Sequence, residues 1–136
     1  MGSGDETKVV LSDFQDTVSQ FLVRHQSILD ILSKNQETNA RVNRAVIKAV
    51  TNCGCVKVHA EKKEIPECAS LSDLKVYLET HLKGELCEEC KDVIQAELGK
   101  TLFYITALCE TLGLSLEEVI AKEDKKVATL RFFNFT

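Results

Sequence analysis

Apolar residues recur at steps of three and four along most of the chain, which is the period of a helix with one buried face. From Leu11 to Leu32 this spacing predicts one amphipathic helix, and the polar run 33–37 is expected to separate it from a second helix. His25 falls on the first stripe and is interpreted as a core residue. The second helix is predicted to bury Val42, Ala45, Val46, Ala49 and Val50.

The helical period disappears between residues 51 and 69, a stretch that contains the only proline of the chain. Val56 and Val58 alternate with Lys57, as side chains do along a strand. The pattern predicts a long extended connection in which a short strand can form at Val56–Val58.

A third helix is predicted from Ser70 to Gly84. Ser70 and Asp73 have the spacing of a capping box, in which two residues satisfy free amides at the start of a helix. The apolar side of this predicted helix consists of Leu71, Leu74, Leu78 and Leu82.

Two further helices are predicted in the C-terminal part. The longer one extends from about Glu88 to Leu112, and Gly113 is suited to the position just past its end. Ser115 and Glu118 form a second capping box, which opens a last helix. The residues of this helix that we expect to turn inward are Leu116, Val119, Ile120, Val127 and Leu130.

The predicted fold is all-α, a bundle of four to five helices with a cysteine-rich irregular segment between the second and third. Residues 1–10 are expected to form a flexible leader and residues 11–136 a single domain. The tail 131–136 contains three phenylalanines and is expected to fold back on a core or on a neighbouring subunit. Neither a repeat nor a low-complexity segment interrupts the pattern.

The charge balance narrows the classes of function. The chain has 136 residues and a formal net charge of −4, which argues against general nucleic-acid or membrane-surface binding. No apolar run approaches the roughly 18 residues that cross a bilayer, and residues 1–8 lack the apolar stretch of a secretory signal. We therefore expect a soluble, cytoplasmic protein whose six cysteines are reduced and serve metal binding or the core.

Four of those cysteines form two close pairs, Cys53 with Cys55 and Cys87 with Cys90. Two such pairs suit a tetrahedral zinc ion, and four sulfur ligands would leave no open coordination position, so the predicted site is structural. The alternatives are a redox-active dithiol at Cys87 and Cys90, or ordinary reduced thiols. Cys68, His59 or His81 can replace one of the ligands, whereas the spacing of Cys109 predicts a core position.

Residues 97–130 resemble the second half of the MazG-like, all-α nucleoside triphosphate pyrophosphohydrolases. The resemblance rests on Glu97-Leu98-Gly99, Leu102-Phe103-Tyr104, Leu112-Gly113-Leu114 and Leu116-Glu117-Glu118-Val119. It implies a helical bundle that assembles as a homodimer. It also implies that Mg²⁺ is held by an E-x-x-E pair on one helix and an E-x-x-D pair on the next.

The metal-binding motifs of the family are not preserved. Lys100 stands three residues after Glu97, where the family has an aspartate, and an ammonium group repels a cation instead of binding it. The helix expected to carry the first pair has no carboxylate between residues 39 and 50, and Asn39, Arg41, Asn43 and Arg44 occupy the region. These replacements predict that the chemistry has been lost.

Three functions follow from these observations. The first is a zinc-stabilised helical module for binding or assembly, in which Arg41, Arg44, Lys48 and Lys100 form an anion site for a nucleotide or another phosphate. The second is an active pyrophosphohydrolase that binds Mg²⁺ through relocated carboxylates. The third is a thiol redox sensor built on Cys87 and Cys90. The relocated carboxylates, which we call the acidic set, are Glu85, Glu88, Glu89, Asp92 and Glu97.

Overall fold

The computed structural model describes residues 8–22, 27–70 and 72–134, and the side chains of residues 75, 76 and 131–134 are excluded from the description. The chain is mainly helical and has a small two-stranded sheet. The elements in order are α1 (Leu11–Phe21), α2 (Ile28–Lys48), a π-helical turn (Ala49–Cys53), β1 (Val56–Val58), α3 (Leu74–Tyr77), β2 (Leu82–Gly84), α4 (Glu88–Leu112) and α5 (Leu116–Asn134).

The predicted boundary between the first two helices is wrong. Helix α1 ends at Phe21, and α2 begins at Ile28 and continues through the polar run 33–37. Within that run Lys34 Nζ lies 3.2 Å from Glu37 Oε2, and Glu37 Oε1 lies 3.1 Å from the guanidinium of Arg41. Pairs at these spacings support a solvent-facing helical surface, so the polar run is the outer face of α2 and not a break. His25 lies outside the described residues.

The predicted third helix is much shorter than expected. Only Leu74–Tyr77 is helical, and Leu78 is extended. The amide of Ser70 donates to Asp73 Oδ2 at 3.0 Å, which is one half of the expected capping box. The second half of the predicted helix is replaced by β2, where Leu82 pairs with Val58. Leu71 lies outside the described residues.

The strand at Val56–Val58 is confirmed, and its partner β2 was not predicted. The two strands pair antiparallel, with Val56 opposite Gly84. Strand β2 has only three residues, too few for a period-two pattern to stand out from a helical one.

The two C-terminal helices begin where the sequence predicts. Helix α4 spans Glu88–Leu112, and Gly113 follows in the left-handed conformation with φ 72°. The amide of Glu118 donates to Ser115 Oγ at 3.2 Å, as the second capping box requires.

The prediction that α5 turns its apolar side inward is wrong beyond the first turn. Leu116 is buried against the rest of the chain. The other four residues of the stripe are exposed, because within the described residues α5 packs mainly on α1 near its own start. These exposed residues are Val119, Ile120, Val127 and Leu130.

The core consists of two clusters along the packed pair α2 and α4. The first joins α1 to this pair and contains Val18, Leu22, Ile31 and Ala107. The second contains Ala49, Val56 and Ile94, with Cys55 and Cys90 packed against it. Cys109 is buried, as its spacing predicts.

None of the helices in the described part of the chain has the length and apolar character needed to cross a membrane.

Candidate metal centre

The first cysteine pair lies where the chain leaves α2. Cys53 is the last residue of the π-helical turn, and Gly54 follows in the left-handed conformation with φ 77°. The Gly54 amide donates to the Ala49 carbonyl at 2.9 Å, which closes the turn. Because glycine adopts this conformation without steric cost, the chain reverses within one residue and carries Cys55 back towards the same point.

The second pair lies at the start of α4. Cys87 is the N-cap residue, and its Sγ accepts a hydrogen bond from the Cys90 amide at 3.4 Å. This backbone amide lowers the pKa of the Cys87 thiol, because the hydrogen bond stabilises the thiolate. A serine, threonine or aspartate usually occupies this position, so a cysteine here fills the capping role and also offers a sulfur that could bind a metal.

The hairpin brings the two pairs into contact. Gly84 of β2 has a φ of 89°, and a Cβ added to it would lie 2.6 Å from the Cys55 carbonyl oxygen. Only a residue without a side chain allows β2 to approach the backbone of Cys55 this closely. Gly84 is therefore a structural requirement of the site.

The four sulfur atoms of Cys53, Cys55, Cys87 and Cys90, which we call the cysteine cluster, all lie within 4.8 Å of one another. Cys53 Sγ and Cys87 Sγ are 3.8 Å apart. Four sulfurs placed tetrahedrally about 2.3 Å from zinc lie about 3.8 Å from each other, whereas a disulfide requires about 2.05 Å. The described cysteines are free thiols in a spacing that could hold a metal ion such as zinc.

The electrostatics of the cysteine cluster favour a bound cation. The neighbouring Cys87 thiol and partial burial raise the pKa of Cys90. Four thiols this close cannot all ionise without a counter-charge, since each thiolate destabilises the next. A divalent ion supplies that charge and would be bound with release of protons.

Other potential ligands lie outside the cysteine cluster. Cys68 is exposed, and neither it nor His59 or His81 belongs to the group of close ligand atoms. Across residues 8–22, 27–70 and 72–134, the cysteine cluster is the one group of three or more cysteine, histidine, aspartate or glutamate side chains close enough to share an ion.

The acidic set is therefore not brought together into a comparable group. Glu88 and Glu89 are exposed in the first turn of α4. Glu97 is further along the helix and pairs with Lys100, at 3.7 Å between Oε1 and Nζ. The proposed Mg²⁺ site at these carboxylates stays a prediction from sequence, with no clustering to support it.

Three of the four residues predicted to bind an anion share one groove. Arg41, Arg44 and Lys48, which we call the α2 cations, line a groove of about 410 Å³ between α2 and α4. The groove, named the cationic groove below, also contains Ala45, Val93 and Glu97. Lys100 is engaged with Glu97.

The sequence interpretation missed one further contact. Gln15 of α1 donates to the Leu114 carbonyl at 2.9 Å and accepts from the Leu116 amide at 2.8 Å. It thereby fixes the turn between α4 and α5, and no spacing in the sequence links residues this far apart.

Comparison of the chain with protein-family models, with curated proteins and with solved structures found no match. The description that the structure supports is a mainly helical chain with a short β-hairpin, in which four cysteines lie close enough to hold a metal ion.

Proposed function

We propose that the chain is a non-catalytic helical module for binding and assembly, held together by one structural zinc ion at the cysteine cluster. The observation that carries the proposal is the convergence of four sulfur atoms within 4.8 Å of one another from two distant segments. Residue types and spacing fit the ligand set of structural zinc sites, which is closed to substrate.

In this proposal the zinc ion holds together two segments that are distant in the sequence. One pair of ligands ends the α2 segment and the other begins α4, and the residues between them form little regular structure. The closure of a long loop by a metal removes conformational freedom from the unfolded chain, so metal binding contributes directly to folding.

Cobalt substitution tests the ligand set. Co²⁺ bound by four thiolates in a tetrahedron gives strong sulfur-to-metal charge-transfer absorption, and zinc should displace it. We expect serine substitution at each member of the cysteine cluster to lower zinc affinity by more than about hundredfold, since loss of even an outer-shell partner costs 10- to 100-fold.

Cys68→Ser is the matched control, because Cys68 is an exposed cysteine outside the cysteine cluster. It should keep the spectrum and the affinity of the unaltered chain. If Cys68→Ser weakens binding as much as Cys53→Ser, the assignment of the four ligands is incorrect.

The assembly part of the proposal is a homodimer in which the exposed stripe of α5 is covered by a second copy. The support is that Val119, Ile120, Val127 and Leu130 lie on one side of a helix with little other packing in the described chain. A helix of this length is marginal in water without burial of its apolar face. The resemblance to MazG-like chains points in the same direction.

The absence of catalysis is supported by the position of Lys100 Nζ, 3.7 Å from Glu97 Oε1, because its ammonium charge repels Mg²⁺ from the carboxylate that the family would offer to the ion. The proposal therefore predicts no Mg²⁺-dependent release of pyrophosphate from nucleoside triphosphates. Measurable turnover by the folded chain would favour the alternative of an active enzyme that uses the acidic set.

A further inference from the structure

The α2 cations form a single row along their helix. Arg41, Arg44 and Lys48 are separated by three and four residues, so their side chains share one face, and all three residues are exposed. Arg41 pairs with Glu37 at 3.1 Å. In the part of the chain that the structure describes, neither Arg44 nor Lys48 has a carboxylate within 4.0 Å.

Glu97 lies on α4 at the other side of the cationic groove. Its side chain is 17% exposed, and its Oε2 atom is buried without a hydrogen-bond partner. A buried carboxylate oxygen that lacks a donor destabilises the folded chain, because its lost hydration is not replaced. Unpaired buried polar atoms are rare in native structures, so this one calls for an explanation, such as a bound group that reaches the carboxylate when the side chain turns towards the cationic groove.

The α2 cations and Glu97 line the same groove, which has a volume of about 410 Å³. Neither Arg44 nor Lys48 forms an ion pair with Glu97 across it. Ala45 and Val93 supply apolar surface between the charged groups. The space is of the size that small-molecule sites occupy, in the range of a few hundred Å³.

The charges specify the chemistry of a ligand. Arginine and lysine side chains bind phosphate oxygens through charge-assisted hydrogen bonds. Glu97 repels a phosphate placed beside it, but it accepts a hydrogen bond from a hydroxyl or an amine. A phosphate alone therefore satisfies one side of the groove and leaves the Glu97 acceptor unpaired.

We propose that the cationic groove binds a phosphorylated small molecule that also carries a hydroxyl or amine donor, with the phosphate on the α2 cations and the donor on Glu97. The inference deepens the binding role proposed above and rests on it. It does not involve Mg²⁺ or the acidic set as a metal site.

Calorimetric titration of the zinc-loaded chain in magnesium-free buffer tests the proposal with three probes. ATP carries phosphates and donors, inorganic tripolyphosphate carries phosphates alone, and adenosine carries donors alone. We expect ATP to bind more tightly than either of the other two. Lack of binding by ATP at millimolar concentration would overturn the proposal.

Two substitutions test the phosphate contact and the donor contact separately. Arg44→Gln should weaken ATP and tripolyphosphate together, by about tenfold, because it removes a charge-assisted contact to phosphate. Glu97→Gln should lower the affinity ratio of ATP to tripolyphosphate by about fivefold, because a neutral amide oxygen is a weaker acceptor than a carboxylate. An unchanged ratio in Glu97→Gln would contradict the proposed role of Glu97.

Lys125→Gln is the matched control, since Lys125 is an exposed lysine of α5 that lies outside the cationic groove. Its binding should equal that of the unaltered chain, and an equal loss in Lys125→Gln and Arg44→Gln would show non-specific attraction and overturn the site. Zinc content is measured after each titration, because tripolyphosphate binds metals. If the chain retains zinc but binds no ATP, the proposed ligand site in the cationic groove is wrong and the metal centre is unaffected. If the chain binds ATP but takes up no zinc, the metal centre is wrong and the ligand site is unaffected.

Discussion

At the scale of single residues, two glycines that look alike in the sequence have opposite roles. Gly84 has a positive φ and lies against the Cys55 carbonyl, where an added Cβ would be 2.6 Å from the oxygen. Gly99 lies inside α4, and apart from the adjacent residues and backbone of its own helix nothing is within 4 Å of the position that its Cβ would take. The same substitution at these two positions therefore separates a steric requirement from a simple entropic cost.

Gly84→Ala should lower the free energy of unfolding by about 2 kcal/mol or more, because it adds both the cost of a left-handed residue and a backbone clash. Gly99→Ala should raise it by about 0.5–1 kcal/mol, which is the difference in helix propensity between the two residues. Urea denaturation followed by circular dichroism measures both values. If Gly84→Ala is as stable as the unaltered chain, the close approach of β2 to Cys55 does not exist in solution.

At the scale of elements, the packed pair α2 and α4 borders both core clusters, the cysteine cluster and the cationic groove. One end of the pair packs against α1 through the first core cluster, which contains Val18, Leu22, Ile31 and Ala107. The other end packs against the hairpin through the second core cluster, which contains Ala49, Val56 and Ile94 and lies beside the cysteine cluster. The first core cluster is held by side-chain packing and needs no metal. The second is small, and we expect its stability to depend on metal binding at the cysteine cluster.

Removal of zinc by a chelator should therefore loosen the chain unevenly. We expect the amides of β1 and β2 to lose most of their protection from hydrogen exchange, while those near Val18 and Ala107 keep theirs, because local opening follows local burial. Hydrogen exchange with mass spectrometry, with and without chelator, gives the comparison. Equal loss of protection at both ends would mean that the two clusters unfold as one unit.

The accuracy of the sequence predictions also differs from element to element. Helix α4 was predicted close to its actual bounds, because its apolar period is long and Gly113 marks its C-terminal end. The break between α1 and α2 was misplaced, because a polar run on a helix face has the same composition as a loop. Strand β2 was missed because its partner is distant in sequence and its formation depends on pairing, which local periodicity does not record.

The candidate site was predictable to a similar, limited extent. The two cysteine pairs were identifiable from their close spacing, and the structure brings all four sulfurs together. Sequence reasoning could not decide whether Cys68 or a histidine takes part, because that depends on the path of the hairpin. It also could not place Glu97 opposite the α2 cations, since the relative rotation of two helices is set by packing.

At the scale of the whole molecule, the chain has apolar surface that its own packing does not cover. Helix α5 exposes Val127 to 55% and Leu130 to 49%, and both lie on the same stripe as the buried Leu116. Thr129 lies on the other side of the helix from Val127, and its hydroxyl donates to the Lys125 carbonyl of the same helix. These two faces allow a matched test of the proposed homodimer.

Val127→Glu should weaken self-association by at least about tenfold, because an unpaired charge would be buried in the interface. Thr129→Glu introduces the same charge on the other face and should leave the dimer intact. Sedimentation over a range of concentrations measures both. A monomeric unaltered chain, or equal effects of the two substitutions, would contradict the assembly through α5.

The charge of the molecule is distributed as unevenly as its apolar surface. The chain is acidic overall, with a net charge of −4, yet one face of α2 presents three cations to the cationic groove. An acidic chain that concentrates cations at one groove attracts anions locally without becoming a general polyanion binder. This distribution reconciles the acidic composition with a phosphate-binding role.

Whether the cysteine cluster holds one zinc ion can be decided by native mass spectrometry of the full chain, purified without added metal. We expect a mass increase equal to one zinc per chain, lost in the Cys87→Ser variant and kept in Cys68→Ser. A folded chain that carries no metal, and takes up no zinc when it is supplied, would rule out the metal centre.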